Sequence, residues 1–402
     1  MSLLKNYLPY CKSKFIALKN SILFVLLLTL LWSCQSGKSE TGVSKRAEIV
    51  KAIPTPTLSA KEKKKYHDLV ANFLRSNLLR GRFNGSILIA KDGVPVFEEY
   101  IGFKNIKTKD SLTAETALQI ASTSKPFTAA AVLRLVQEGK VKLDDPMSLF
   151  FPGFPYEDIT VRTLLNHRSG LPNYLYYMED GGWDRNLLAT NNDVLATLMN
   201  WQPSKAYRPN SNFNYCNTNY VLLALIVEKQ SGLPFPEYMK RTFFDPLGMK
   251  STYVHTIEDS ARTTPSYDGY GSEWQLDFSD GPYGDKNVYS TPRDLLKWDQ
   301  AWYNGSVLNQ PLVDSAFLPY SNERPSTHNY GLGWRLLMEP NGKKVIYHNG
   351  RWHGFNSAFA RLPDEKVTII ILTNKFNRNV YSVSRKMYNL FGKYGGKDEV
   401  QE

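Results

Sequence analysis

The chain has 402 residues, of which 42% are hydrophobic and 22% are charged. This balance excludes a disordered or fibrous protein and allows one large globular domain or two. The formal net charge of +11 is spread along the sequence without a nucleic-acid-binding module, so we expect no nucleic-acid partner.

The first 33 residues differ in composition from the rest of the chain. Lysines precede an apolar run, 22–32, that is too short to span a bilayer comfortably, which is typical of a secretory signal. Its end at Cys34 resembles the bacterial lipoprotein signal, in which cleavage precedes a cysteine that then carries lipid. We therefore expect a lipoprotein of the bacterial cell envelope, periplasmic or on the outer surface, held at the membrane through Cys34. The alternatives are a plain signal peptide and an uncleaved anchor.

Two other cysteines complete the set. Cys11 would be lost with the signal segment, so Cys216 is the remaining cysteine of the folded part. With Cys34 lipidated, we expect no intramolecular disulfide even in an oxidising compartment.

Residues 34–60 are polar, contain prolines and show no helical or strand period, which predicts a flexible tether. Residues 61–80 carry apolar side chains at helical spacing and predict an amphipathic helix. Two β-rich runs within 85–100 are joined at Asp92-Gly93, which predicts a β-hairpin.

The sequence between residues 121 and 324 is mostly helical and loop-like. Helices are predicted at 128–137, 193–200 and 220–230, at 235–244, and from a capped start at 291–294. The segment 263–289 is rich in Gly, Asp and Tyr without a clear period, and predicts a long surface loop near a site.

Strand patterns return late in the chain. Strands are predicted at 330–338, 344–348, 355–362 and 367–373, with a closing helix at 380–391 and a charged tail at 396–402. Strands at both ends of the chain imply one sheet built from distant segments. The helical region is then an insertion, and a cleft is expected where it meets the sheet.

Ser122 and Lys125 lie at the predicted start of the helix 128–137. Backbone N–H groups at a helix N-terminus favour negative charge, which suits an oxyanion. Lys125 lies one turn further along the same face, so its amine can reach the Ser122 hydroxyl. By itself this spacing, which recurs at Ser2 and Lys5, is more often a helix cap followed by a solvated lysine. As a site, it predicts a serine nucleophile with an amine that moves its proton.

Tyr215 is the candidate base. The pKa of a tyrosine is ordinarily about 10, so it acts as a base near neutrality only if a cation such as Lys125 favours its phenolate. Asn217, two residues on, offers an amide that can hold both Lys125 and a substrate carbonyl. The alternative for Tyr215 is a core aromatic residue with a satisfied hydroxyl.

The stretch 347–351 lies at the end of a predicted strand. Gly350 allows backbone or substrate to come close to the strand. An edge strand here can donate the N–H of Arg351 to the oxyanion, beside the N–H of Ser122. The Tyr-x-Asn spacing recurs within this stretch, so that spacing alone is weak evidence. His348 could equally be a strand histidine bonded to the backbone.

Ser122-x-x-Lys125, Tyr215-x-Asn217 and His348-x-Gly350 occur in this order on a predicted helix, loop and strand. Together they resemble the serine β-lactamase and penicillin-binding-protein superfamily, specifically the class C β-lactamase-like branch with its D-aminopeptidases, alkaline D-peptidases and esterases. The resemblance covers about 62–395. Supporting stretches are 164–172, 244–249 and 289–295.

The resemblance implies an α/β fold in which an antiparallel sheet flanked by helices carries an inserted all-helical lobe, with the active site in the cleft between them. The sheet part would be about 61–120 and 325–395, and the insertion about 121–324, within one hydrolase domain at 61–395.

The same resemblance implies roles for individual residues. Ser122 would be the acylated nucleophile, Lys125 its proton-relay partner and Tyr215 the general base, while Asn217 orients the substrate. His348 occupies the position where true β-lactamases carry a lysine.

That histidine sets an expectation about the substrate. Histidine titrates near pH 6.5 and holds less charge at neutrality, so we expect weak or no β-lactam hydrolysis and a substrate that need not carry a carboxylate at that position. Replacing His348 with lysine should then flatten the pH dependence of acylation between about pH 5 and 8.

The sequence thus predicts a serine hydrolase that cleaves an ester or amide of a small molecule or peptide through an acyl-enzyme on Ser122, of carboxylesterase or D-specific peptidase or amidase type. The alternatives are a penicillin-binding or β-lactam-hydrolysing protein, and a non-catalytic scaffold lipoprotein that keeps the fold. The histidines show no His-Glu-x-x-His spacing, so we expect no metal and no cofactor. The oligomeric state stays open.

Overall fold

The computed structural model describes residues 57–81 and 83–395, and the side chains of Ser260 and Ala261 are outside the description. The predicted signal segment, Cys34, most of the tether and the tail at 396–402 also lie outside the described residues. In the described part of the chain, no helix has both the length and the apolar character that crossing a membrane requires.

The described strands, in chain order, are β1 (Gly85–Lys91), β2 (Val94–Ile101), β3 (Phe103–Asn105), β4 (Asp110–Ser111), β5 (Leu118–Gln119), β6 (Tyr253–Val254), β7 (Val288–Ser290), β8 (His328–Tyr330), β9 (Arg335–Met338), β10 (Lys344–Trp352), β11 (Phe355–Leu362) and β12 (Val367–Thr373). The large antiparallel sheet has the order β2-β1-β12-β11-β10-β9-β8. Its register places Leu88 of β1 opposite Ile370 of β12. The sheet therefore joins the two ends of the described chain, as predicted.

The described α-helices are α1 (Ala60–Asn77), α2 (Lys125–Gln137), α3 (Met147–Phe150), α4 (Val161–Leu165), α5 (Tyr174–Asp180), α6 (Asn191–Trp201), α7 (Asn217–Ser231), α8 (Phe235–Met239), α9 (Pro292–Tyr303), α10 (Gln310–Ala316) and α11 (Asn379–Met387). Local signals set several of their ends. A capping box formed by Ser59 and Glu62 starts α1, Thr291 caps α9, and Gly232, with a φ of 72°, ends α7.

Helices cover both faces of the sheet because successive strand residues point to opposite sides. In β12, Ile369 and Ile371 join the apolar cluster that includes residues of α1 and α11. Ile370 and Leu372 join the larger core, which includes residues of α2 and α9. The structure is thus a mixed α/β fold with three layers, and the predicted fold class is confirmed.

Two strand predictions need correction. The segment 330–338 forms two strands, β8 and β9, because Gly331 N–H bonds to the Trp334 carbonyl and Gly333, with a φ of 87°, closes a tight turn. Strand β10 continues past residue 348 and is third from the sheet edge, so it is not the expected edge strand. However, β9 pairs only with residues 344–347 of β10, and the later half of β10 packs on the turn 121–124 instead.

Two predictions between residues 235 and 290 were also incomplete. The helix predicted at 235–244 changes after α8 into a single π-helical turn, Lys240–Phe244. The segment 263–289 is not wholly a surface loop, since Asp285 and Lys286 are buried and its end forms β7 in a small sheet with β5 and β6. It is held in place because the Asn287 side chain donates to two backbone carbonyls of the same segment.

Candidate active site

Ser122 lies in a single 3-10 turn, Ala121–Ser124, that leads directly into α2. The α-helix therefore begins at Lys125 rather than at residue 128. Ala121 is completely buried and has a φ of 48°, a left-handed conformation that is unfavourable for a residue with a Cβ atom. This strained residue immediately precedes Ser122, which lines a cavity of about 520 Å³.

Lys125 is completely buried, and three acceptors surround its amine. Nζ donates to Ser122 Oγ at 3.1 Å, to Asn217 Oδ1 at 2.8 Å and to the Asp285 carbonyl at 2.9 Å. An ammonium group has three N–H donors, so each of them has a partner. The predicted contacts with Ser122 and Asn217 are present, and a solvated lysine is excluded. The Asp285 carbonyl was missed because it comes from an irregular segment without a motif.

Tyr215 is half-buried at the same cavity, between two cationic side chains. Its ring centroid lies 4.9 Å from Lys125 Nζ and 5.1 Å from Arg335 Cζ. Two positive charges at this distance attract a negatively charged oxygen. The sequence pointed to Lys125 but not to Arg335, which the sheet brings here through β9.

His167 holds the backbone on both sides of Tyr215. Its carbonyl accepts the N–H of Asn214 at 2.8 Å, and its Nδ1 accepts the N–H of Cys216 at 3.1 Å. Burial, with Lys125 and His348 nearby, keeps the pKa of His167 well below its ordinary value, so the ring is neutral and Nδ1 can accept. This contact gives a physical reason for the stretch 164–172, which the sequence marked only by resemblance.

The opposite wall of the cavity is formed by β10, which contributes Asn349, Gly350 and Arg351. A Cβ atom at Gly350 would lie 2.3 Å from the Ile120 carbonyl oxygen and 2.9 Å from the Ser122 nitrogen. Glycine is therefore required for the strand to approach the serine turn so closely. The backbone of the next residue, Arg351, consequently lies near that of Ser122.

His348 does not line the cavity, because its side chain is completely buried. Its Nδ1 lies 2.8 Å from the Asn349 carbonyl, which can only accept, so Nδ1 carries the proton. Nε2 then accepts from the Tyr330 hydroxyl at 3.1 Å. Burial first, and Arg335 and Lys125 in addition, hold the pKa of His348 well below its ordinary value.

One expectation for His348 is therefore wrong, because its pKa lies well below 6.5. The effect of a lysine in its place on the pH dependence of acylation stays a prediction, but loss of a titration near pH 6.5 no longer gives its reason. The structure matches the alternative, in which His348 is a strand histidine bonded to the backbone.

Positive charge in the cavity comes from other residues. The basic side chains that line it in the described chain are Lys286, Arg335, Arg351 and Arg378. Lys286 is buried, contacts the Tyr174 hydroxyl and lies 3.5 Å from Asp285 Oδ2. Burial lowers its pKa although the neighbouring carboxylates act in the opposite direction. No sequence motif marks Lys286 or Arg335, since only tertiary packing brings them to Ser122.

Comparison with known proteins agrees with this fold. A family model described as Beta-lactamase matches residues 67–392. Penicillin-binding protein 4* of Bacillus subtilis (strain 168) is 34% identical in an alignment 311 positions long, which covers 73% of this chain and 68% of that protein.

Two solved structures are similar over most of their length. A penicillin-binding protein from Bacillus halodurans has a TM-score of 0.69 and 25% identity, and the match covers 81% of this chain and 98% of the other. The D-amino acid amidase from Ochrobactrum anthropi SV3, complexed with L-phenylalanine, has a TM-score of 0.65 and 25% identity. The match covers 81% of this chain and 99% of the amidase chain. The structure brings Lys125 to Ser122, and the family model matches residues 67–392. The chain therefore belongs to the beta-lactamase family and is a serine hydrolase of the beta-lactamase and penicillin-binding-protein superfamily.

Proposed function

We propose that the chain cleaves an ester or an amide through an acyl-enzyme on Ser122, as a carboxylesterase or as a D-specific peptidase or amidase. The observation that carries this proposal is the 3.1 Å hydrogen bond from Lys125 Nζ to Ser122 Oγ at the wall of a cavity that also contains Tyr215. Burying an ammonium group is costly. A scaffold without catalytic activity has no physical reason to keep a buried ammonium group next to Ser122, so the non-catalytic alternative is disfavoured.

In the acylation step, Ser122 Oγ attacks the carbonyl carbon of the substrate while its proton passes to Tyr215. In its ammonium form Lys125 cannot accept this proton, so it acts through its positive charge and its hydrogen bond to Ser122 Oγ. For Lys125 to relay the proton, its ammonium group must first give up a proton along one of its three hydrogen bonds. The oxyanion that forms is stabilised by the backbone N–H groups of Ser122 and Arg351. Asn217, fixed by Lys125, orients the substrate.

Collapse of the tetrahedral intermediate breaks the C–O or C–N bond, and the leaving alcohol or amine takes the proton from Tyr215. A water molecule then attacks the ester carbon of the acyl-enzyme and transfers one proton to Tyr215. Collapse of this second tetrahedral intermediate breaks the bond between the acyl carbon and Ser122 Oγ, Oγ takes the proton from Tyr215, and the acid product departs.

The charge of the cavity suggests a substrate class. Arg335 lines the cavity but lies over the Tyr215 ring, and Lys286 is already paired with Asp285, so the substrate need not carry an anionic group at the position of His348. Because position 348 holds a buried, neutral histidine, we keep the proposal of weak or no β-lactam hydrolysis. The Tyr215-x-Asn217 and His348-x-Gly350 pairs support the class C β-lactamase-like branch.

The similar proteins support two outcomes. The likeness to a D-amino acid amidase favours cleavage of an amide. The 34% identical penicillin-binding protein supports a second candidate function, in which Ser122 binds penicillin covalently and releases the product slowly.

Intact mass of the purified chain, after incubation with a fluorophosphonate and separately with a penicillin, separates these functions. A fluorophosphonate adduct that is absent in Ser122→Ala, without a lasting penicillin adduct, is the expected result. A stable penicillin adduct at Ser122 would indicate a penicillin-binding protein instead, and the absence of both adducts would refute the acyl-enzyme.

We also propose that Cys34 carries a lipid that holds the chain at the bacterial envelope. Cys34→Ser should then release the protein into the soluble fraction, and mass spectrometry of the N-terminal peptide should show loss of a diacylglycerol. Unchanged fractionation of Cys34→Ser would contradict the anchor.

A further inference from the structure

A buried lysine–aspartate pair lies beside Lys125, and no step of the proposed reaction uses its side chains. Asp285 and Lys286 are each 1% exposed. Lys286 Nζ lies 3.5 Å from Asp285 Oδ2, and both side chains meet the hydroxyl of Tyr174, which donates to Asp285 Oδ2 at 3.2 Å and accepts from Lys286 Nζ. Two buried charges gain little net stability from their attraction. The position of the pair is therefore more informative than its strength.

The backbone of Asp285 is part of the support of Lys125. Its carbonyl accepts from Lys125 Nζ at 2.9 Å, while its side chain is held by Tyr174. The residues just before β7 form neither helix nor strand. Side-chain contacts therefore set the direction of this carbonyl, and the contact with Tyr174 acts on the same residue that carries it.

Tyr174 connects the pair to the start of α7. Its backbone N–H donates to Thr218 Oγ1 at 2.8 Å, and Thr218 follows Asn217, whose Oδ1 accepts from Lys125. The contacts form a closed ring through Lys125, Asn217, Thr218, Tyr174 and Asp285. Two of the three acceptors of the Lys125 amine lie on this ring. A displacement of Tyr174 or Asp285 therefore moves the amine as well.

Lys286 extends this network to the opposite wall of the catalytic cavity. Its Nζ lies 4.5 Å from the centroid of the Trp352 ring, where a cation is attracted by the aromatic face. Trp352 follows Arg351, whose N–H is the proposed second oxyanion donor, and Trp352 Nε1 donates to Asp280 Oδ1 at 2.7 Å. One buried side chain thus contacts both the support of Lys125 and the strand end beside the oxyanion site.

We propose that Lys286 is a positioning residue of the serine hydrolase site. It compensates the buried charge of Asp285 and fixes the backbone carbonyl that holds Lys125 beside the nucleophile. Removal of its amine leaves the Asp285 carboxylate buried without its cation, which forces the side chain and the backbone that carries it to rearrange. This inference rests on the proposed function, because it concerns the reactivity of Ser122.

The rate at which a fluorophosphonate labels Ser122 tests this role without a natural substrate. Lys286→Met removes the amine and keeps an unbranched side chain. We expect its labelling to be slower by about tenfold or more, because even a small misplacement of a reacting group is costly to the rate. Lys297→Met is the matched control, since it breaks another lysine–aspartate pair, with Asp294 at 2.7 Å, that does not line the cavity. The control should be labelled at the native rate.

A second variant covers the case in which Lys286→Met does not fold, as judged by thermal unfolding. Tyr174→Phe keeps the ring and removes only the hydroxyl that joins Asp285 to Lys286. It should also be labelled more slowly than the native chain, with Tyr176→Phe at an exposed position as its control. A native labelling rate in folded Lys286→Met, or in Tyr174→Phe if the first variant does not fold, would overturn the proposal even if the variant unfolds at a lower temperature.

The concentration dependence of labelling gives a readout that a purely structural role would not change. We expect Lys286→Met to lower the maximal labelling rate by about tenfold and to leave the half-saturating concentration of the probe within about twofold, because Lys286 acts through Lys125. A native maximal rate with a raised half-saturating concentration would make Lys286 a contact of the probe and would refute the positioning role.

A double variant tests the compensation of charge. Lys286→Met combined with Asp285→Asn removes both buried charges and should be labelled faster than Lys286→Met alone, because no uncompensated carboxylate remains. A double variant as slow as the single one would refute the compensation. Failure of the proposed function would appear as absence of labelling in the native chain, whereas failure of this inference would leave native labelling intact and equal in the variants.

Discussion

The ring of His167 lies 4.3 Å from the ring of Tyr215, and the carbonyl and Nδ1 of His167 accept the backbone N–H groups of Asn214 and Cys216 on either side of that tyrosine. The loop that carries the proposed base is therefore positioned by the end of α4. A mobile tyrosine would lose the alignment that proton transfer from Ser122 needs.

Replacing His167 tests this positioning. His167→Phe keeps a ring but removes the Nδ1 acceptor, which leaves the buried N–H of Cys216 without a partner. We expect a loss of about 1–3 kcal/mol in the free energy of unfolding, and at least a tenfold fall in kcat for a chromogenic ester. His167→Asn, which retains an acceptor, should recover part of both. Equal kcat values for the two variants would argue against the positioning role.

Tyr215→Phe removes one hydroxyl and keeps the ring contacts with His167 and Lys125. We expect kcat/KM for ester cleavage to fall by about 10²–10⁴, the range typical of a lost general base, with little change in thermal stability. Tyr176→Phe, at a side chain that is 72% exposed, is the matched control. A variant with near-normal turnover would remove Tyr215 from the mechanism.

Gly350→Ala tests the contact between β10 and the serine turn. The new Cβ atom would lie 2.9 Å from the Ser122 nitrogen, so the strand must move away and carry the Arg351 N–H with it. We expect kcat to fall by about 10²–10³, as for loss of one oxyanion donor. Gly81→Ala, where nothing lies within 4 Å of the new atom, should be neutral. Retained activity in Gly350→Ala would contradict an oxyanion site at this strand.

His348 should make stability depend on pH. Its pKa is well below 6.5 in the folded protein, whereas the unfolded chain binds a proton on this residue below about pH 6.5. The unfolded state therefore holds more protons, and the free energy of unfolding falls as the pH drops below about 6.5, by at most about 1.4 kcal/mol per pH unit for this residue.

Chemical denaturation between pH 7 and 5 measures this slope. His348→Gln should reduce it, while His167, which has a similarly lowered pKa, keeps part of it. His67→Gln, at an exposed position in α1, should leave the slope unchanged. If His348→Gln and the native chain lose stability in parallel, the buried histidine is not responsible.

His348→Lys should destabilise the fold instead of tuning catalysis. It would put a buried ammonium group near Arg335 and Lys125, and an uncompensated buried charge costs about 3–5 kcal/mol. Thermal unfolding measures the loss, with Lys344→Arg in the same strand as the control. A stable His348→Lys variant with a flattened pH profile would restore the original expectation.

Local signals in the sequence were sufficient for much of the fold. The hairpin at Asp92-Gly93, the capped start of α9 and the glycine end of α7 depend on interactions within a few residues. The Ser122–Lys125 contact is also local, since both residues lie within one turn of the same helical segment. Such features follow from backbone geometry, which the sequence encodes directly.

The rest of the site depends on strands and loops that are distant in sequence. Asp285 and Arg335 reach Ser122 and Lys125 only because β7 contacts the turn 121–124 and β9 pairs with β10, and no spacing in the sequence marks them. The sequence by itself determined the order of the motifs, and it pointed to Ser122 as the candidate nucleophile and to Lys125 as its amine. Tertiary structure alone decided that His348 is buried and neutral and that Lys286 and Arg335 line the cavity of Ser122, because burial and pairing arise only when distant elements pack together.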